Sequence, residues 1–221
     1  MLKKAGAVVV ALLSFASISY SQDSHYDGSV SGAAVFTKQS DGNGVSQGAT
    51  VGANIFGTIR VRFNAKHSLL FNYGRAKDSQ TYQAGEDFHV LTTISEYTGA
   101  YVYNPFRKGK WEPFVLVGGG ALHFSPGATW VFFPLLPNNL PHNVLADVGA
   151  MTQTQIAFLY GLGVDYQLPV IPRLALRVQY RGFLYREPDF KVNGSANPSL
   201  SFFTGAYGHM AEPSIGLVFR F

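Results

Sequence analysis

From about Gly28 onward, polar and apolar side chains alternate along the chain with a period of two. A β-strand imposes that period because successive side chains point to opposite faces. Leu174, Leu176, Val178 and Tyr180 share one face, and Ala175, Arg177, Gln179 and Arg181 share the other. The preceding segment sets Ile156, Phe158, Tyr160, Leu162, Val164 and Tyr166 against Ala157, Gly161, Gly163, Asp165 and Gln167. Between them, residues 169–173 carry two prolines, which cannot continue a ladder. A hairpin centred near Ile171 puts Asp165 opposite Arg177, a pairing that a one-residue slip would undo.

The same test yields eight strand segments, at roughly 28–38, 48–63, 68–77, 88–103, 111–124, 154–168, 174–186 and 204–221. The second is well phased, with Val51, Ala53, Ile55, Ile59, Val61 and Phe63 on one face and Thr50, Asn54, Thr58, Arg60 and Arg62 on the other. The first is weakly phased and the fifth is apolar on both faces, so the pattern leaves the facing of these two open. Connections alternate in length. Residues 64–67, 104–110 and 169–173 are short; 39–47, 78–87, 125–153 and 187–203 are longer and richer in Gly, Asn, Asp and Ser. Tyr97, Tyr101, Tyr103, Phe106 and Trp111 gather around one short turn, as an interfacial girdle would.

Composition decides which solvent these strands face. The chain is 47% hydrophobic and only 14% charged. Yet beyond the first twenty positions it has no run approaching the roughly 20 apolar residues that a spanning helix needs. An all-β, transmembrane, antiparallel up-and-down barrel of eight strands satisfies both facts. The 221 residues suffice for one domain. The net charge of +4 comes from scattered basic residues with no phosphate-tracking block, and nucleic-acid binding is disfavoured. With no cysteine, disulfides, thiolate metal sites, a Cys nucleophile and a lipid-modified N-terminus are excluded.

Residues 1–21 have the layout of a secretory signal peptide: basic Lys3 and Lys4, an uncharged run from Ala5 to Tyr20, and small Ser19 and Ser21 at the cleavage point. Cleavage after Ser21 leaves residues 22–221 as the barrel domain and lowers the net charge by two.

The last eight residues run Ser214-Ile215-Gly216-Leu217-Val218-Phe219-Arg220-Phe221. They resemble the C-terminal assembly signal of bacterial outer-membrane barrels, in which a polar residue, a glycine and two aromatics stand where Ser214, Gly216, Phe219 and Phe221 stand here. The mature chain as a whole resembles the small eight-stranded barrels of the outer-membrane protein A transmembrane type, partly through Gly161-Leu162-Gly163-Val164-Asp165-Tyr166. The resemblance implies an outer-membrane location, contact with outer-membrane lipid and lipopolysaccharide, capture by the barrel-assembly machinery, and a monomer. A peptidoglycan-binding domain after Phe221 is not expected.

The phasing collects Arg60, Arg62, Arg177, Arg181 and Arg220 in the lumen with Glu96, Asp165 and Glu212, plus Asn54, Asn72 and Gln179. An eight-stranded barrel is just wide enough for side chains to fill it, so these charges are expected to pair into a plug. A structural or surface-interaction role follows, with a narrow diffusion channel as the alternative. A lipid A-modifying enzyme is a weaker reading. The deacylase family's His and Ser two apart have a counterpart in His123 and Ser125, but Pro126 stands where the family's oxyanion-stabilising Asn belongs. No cofactor or metal motif is present. The run holding Trp130, Phe132, Phe133, Leu135 and Leu136 is apolar where a solvated loop is expected, and makes a candidate contact site. Packing on its own barrel is the first expectation for it; adding two strands to make a ten-stranded barrel is the lesser one.

Overall fold

A computed structural model describes residues 25–83, 87–133, 142–145, 150–171, 173–191 and 202–221; within these, the side chains of 87–88, 128–133 and 142–145 are not described. The leader and its cleavage point, with Leu135 and Leu136, lie outside the described residues.

Among the described residues, eleven strands form one antiparallel sheet: β1 Tyr26–Thr37, β2 Ser40–Gly42, β3 Val45–Ala49, β4 Gly52–Arg62, β5 His67–Gln83, β6 Asp87–Tyr103, β7 Trp111–Phe133, β8 His142–Leu145, β9 Gln153–Gln167, β10 Leu174–Arg186 and β11 Tyr207–Arg220. Eight of them make a closed wall in the order β5-β4-β1-β11-β10-β9-β7-β6, with β6 returning to β5. The first and last wall strands meet over a register running from Asp27↔Arg220 to Thr37↔Met210. Closure leaves no unpaired wall edge, the condition a sheet must meet in hydrocarbon.

The wall is polar inside and apolar outside. Ile55, Ile59 and Leu162 are 71%, 62% and 60% exposed on the outer face, while Arg60, Arg177 and Arg181 are almost fully buried within. Burial alternates residue by residue along β4 and β5. Both faces left open by the sequence now have a phase. Tyr26, Val30 and Phe36 of β1 and Trp111, Val115 and Val117 of β7 face outward, and Asp27, Glu112, Phe114 and Leu116 are buried inside. At the short-turn end, His67 contacts Tyr101 and Tyr103, and Trp111 lies 4.6 Å from Tyr166, forming part of an aromatic girdle.

Three segments expected as loops carry strand. Residues 40–49 form the β2–β3 hairpin, whose Asn43 and Gly44 take φ of 50° and 75°, the left-handed pair that a two-residue hairpin turn needs. Strands β5 and β6 stay paired as far as Gln83↔Asp87, and β7 continues to Phe133. The backbone of Trp130, Phe132 and Phe133 therefore belongs to β7 and pairs with β8. That hairpin lengthens the wall and adds no stave to it, so the barrel has eight strands and not ten.

An outward guanidinium in the middle of the apolar belt should be costly. Ile59→Arg is expected to lower the folding free energy in lipid vesicles by about 2–4 kcal/mol, read from a urea titration of tryptophan fluorescence.

Candidate functional site

The lumen holds two charge clusters stacked along the barrel axis. The one nearer the short turns combines Arg60, Arg62, Arg177 and Arg220 with Asp27, Glu112 and Asp165. Arg177 donates from Nε and Nη2 to the two Asp165 oxygens at 2.7 and 2.9 Å, a bidentate pair set by the cross-strand register Arg177↔Asp165. Arg60 reaches the same carboxylate at 2.6 Å and Asp27 at 3.1 Å. Arg62 bridges Asp27 at 3.1 Å and Glu112 at 2.5 Å, and Arg220 closes the ring on Glu112 at 2.8 Å.

In the second cluster Arg181 lies between two carboxylates. It donates to Glu96 at 2.8 and 2.9 Å and, from Nη2, to Glu212. Asn54 donates to Glu212 at 3.0 Å, and Thr98 to Glu96 at 2.7 Å. The Arg181 guanidinium carbon lies 3.7 Å over the Phe56 ring, a cation–π contact for a group whose Nε has no hydrogen-bond partner among the described residues. Arg60 and Arg177 likewise flank Phe114, at 5.4 and 5.2 Å.

Two glycines make room for these groups. A Cβ at Gly74 would stand 3.0 Å from Glu96 Oε2 and 2.9 Å from Phe56 Cβ; one at Gly163 would stand 2.6 Å from the tip of Phe114. Each lies on the inner face because its strand phase points it there.

All eight lumen charges expected from the sequence are in these clusters. Asp27 and Glu112 were not expected. Asp27 precedes the predicted start of the first strand by one residue, and Glu112 sits in the segment with no readable phase. With both counted, five guanidiniums face five carboxylates. Among the described side chains of the wall strands, every carboxylate faces inward.

The remaining candidates are dispersed. Ser214 is buried and Gly216 packs on Ser31 and Val30, while Phe219 faces outward from β11. His123 lies on the outer side of β7 with Nδ1 2.9 Å from the Thr154 hydroxyl, and Pro126 pairs with Thr92 beside a register shift.

No family model and no curated protein matches the chain. Among solved structures it is similar to Neisserial surface protein A, at 16% identity and a TM-score of 0.46, covering 90% of this chain and 98% of that one. It is also similar to the outer membrane protein OprG from Pseudomonas aeruginosa, at 15% identity and a TM-score of 0.49, covering 90% and 97%. A third is Ail, the attachment invasion locus protein of Yersinia pestis, at 12% and 0.45, covering 89% and 99%. The closed pairing and inverted polarity of the chain themselves settle its class. It is a small transmembrane β-barrel.

Truncating Arg181 strands two buried carboxylates. Arg181→Leu should destabilise the barrel by about 3–5 kcal/mol. Adding Glu96→Gln and Glu212→Gln should restore most of that loss in the same urea titration.

Proposed function

We propose that the protein is an exported, monomeric barrel of the bacterial outer membrane with a structural or surface-interaction role, its lumen sealed against ions. The observation that carries this reading is the packing of the lumen. Arg60 of β4 reaches Asp165 of β9, on the opposite side of the wall, and Arg181 of β10 reaches Glu96 of β6. Bridges that cross the lumen occupy the space an aqueous path would need. The C-terminal strand, with Ser214, Gly216, Phe219 and Phe221, supports capture by the barrel-assembly machinery through the edge that β1 covers in the finished fold. In planar bilayers the folded protein should give no sustained conductance; a steady ohmic current would replace this reading with the diffusion channel. An outer-membrane fraction whose gel mobility shifts on boiling supports the location.

The outer face supports lipopolysaccharide as its lipid partner. Above the apolar belt, at the long-loop end, Asp41 is the one exposed acid among the described side chains, beside the exposed basic groups of Lys38, Arg75, Lys77 and Arg186. They form a cationic collar at the height where anionic headgroups lie, each worth about 1 kcal/mol toward such a surface. Arg75→Ala with Lys77→Ala should weaken binding of lipopolysaccharide roughly thirtyfold. Dephosphorylated lipopolysaccharide should not distinguish the variant from the parent.

A further inference from the structure

The long-loop mouth carries two buried carboxylates that the charge clusters do not neutralise. Asp78 of β5 is 6% exposed and Glu187, just beyond β10, is 2% exposed. Neither has an ion-pair partner among the described residues, and Asp78 Oδ1 and both Glu187 oxygens lack hydrogen bonds. Ser40 of β2 lies beside Glu187 without reaching hydrogen-bond geometry. From β5 Glu187 is faced by Asp78 and Tyr82 and from β10 by Tyr185, and Asp189 of its own segment lies near Tyr82. None of these groups is a cation.

The segment that bears Glu187 is folded into the mouth. The Pro188 carbonyl accepts from Tyr82 at 2.7 Å and from Gln47 at 3.1 Å. Phe190 is fully buried, edge-on to Tyr82 and Phe124 at 6.3 and 6.4 Å, and Phe202 also lies edge-on to Tyr82, at 6.2 Å. This aromatic stopper requires left-handed backbone at Phe190 and Lys191, with φ of 47° and 54°. Side chains other than glycine rarely adopt that conformation, so the surrounding contacts must hold it.

We propose that residues 187–191 are a proton-operated latch: the stopper stays seated while Glu187 is neutral, and loss of its proton drives the segment out of the mouth. A carboxylate formed there would be a desolvated charge with no partner, and the strained backbone relaxes when it leaves. Burial pushes the Glu187 carboxyl up to about 8; Ser40 draws it down and Asp78 adds to the rise. Its pKa is therefore higher in the seated state than in the released segment. The seated state is fully favoured below the ordinary carboxylic range and loses that advantage as pH rises through about 8.

The chain has no cysteine of its own, so paired spin labels at Ala53→Cys on β4 and Lys191→Cys report the segment against the wall. Double electron–electron resonance should give one narrow distance distribution at pH 5.5 and a broad second component at pH 9.5. Glu187→Gln should keep the narrow distribution at both pH values, and Asp78→Asn should lower the midpoint. Identical distributions in the parent at both pH values would overturn the latch, as would a transition that persists in Glu187→Gln. Loss of the unboiled gel mobility at pH 9.5 would also overturn it, by showing that the whole barrel opens.

Discussion

An eight-stranded barrel encloses a space filled by side chains, so a charge pointed inward has no water to turn to and must meet its counterpart there. That constraint organises this molecule. Charged groups from seven of the eight wall strands enter the two lumen clusters, and β5 contributes Asn72, whose amide donates to Thr98 at 2.9 Å, and the space at Gly74. The pairs span the lumen as well as joining neighbours: Arg60 to Asp165 and Arg62 to Glu112 link strands far apart around the wall. Lateral pairs alone would line the wall and leave its centre open. The crossing pairs fill it.

The network adds more to register than to stability. A buried ion pair loses most of its Coulomb gain to desolvation, so an apolar filling of equal volume would stabilise the barrel about as well. Register is different. A one-residue slip turns every inward side chain outward, and each guanidinium placed at mid-membrane costs about 2–4 kcal/mol. Five of them make the slipped state prohibitive. The apolar outer face pushes in the same direction, because Ile59, Leu162 and Val178 would then compete for a lumen already sized by Gly74 and Gly163. Inner charge and outer hydrocarbon thus specify one pairing together.

How much of this the sequence discloses depends on the solvent outside each stretch of wall. Where hydrocarbon lies outside, polarity alternates strongly, and Arg60, Arg62, Arg177 and Arg181 are legible as lumen residues from phase alone. Above the belt the outer face meets water, and alternation fades: Asp78, Gln80 and Tyr82 point in while Lys77, Ser79 and Thr81 point out. Polar residues on both faces look like a loop, although the strands run on. Glu112 escapes for the opposite reason, since Phe114, Leu116, Val115 and Val117 are apolar on both faces of β7. The β2–β3 hairpin was legible in Asn43-Gly44, a local turn signal that a search for hydrophobic period alone passes over.

The same boundary divides the lumen's charge. Within the belt, five cations meet five anions, because the wall offers an unpaired group no route to water except dismantling the sheet. At the mouth, Asp78 and Glu187 have no cation partner among the described residues, and the arrangement survives because their access to water is short. Glu187 belongs to no wall strand; among the described residues, contacts of 187–191 with Gln47, Tyr82, Phe124 and Gln153 and backbone bonds to Met151 and Ala206 keep it under cover. Freeing it breaks those contacts and the terminal backbone bond from Glu187 to Ala206, and leaves the β10–β11 register as far as Arg186↔Tyr207 in place. An unbalanced charge is tolerable here because the element that hides it can move while the barrel stays closed.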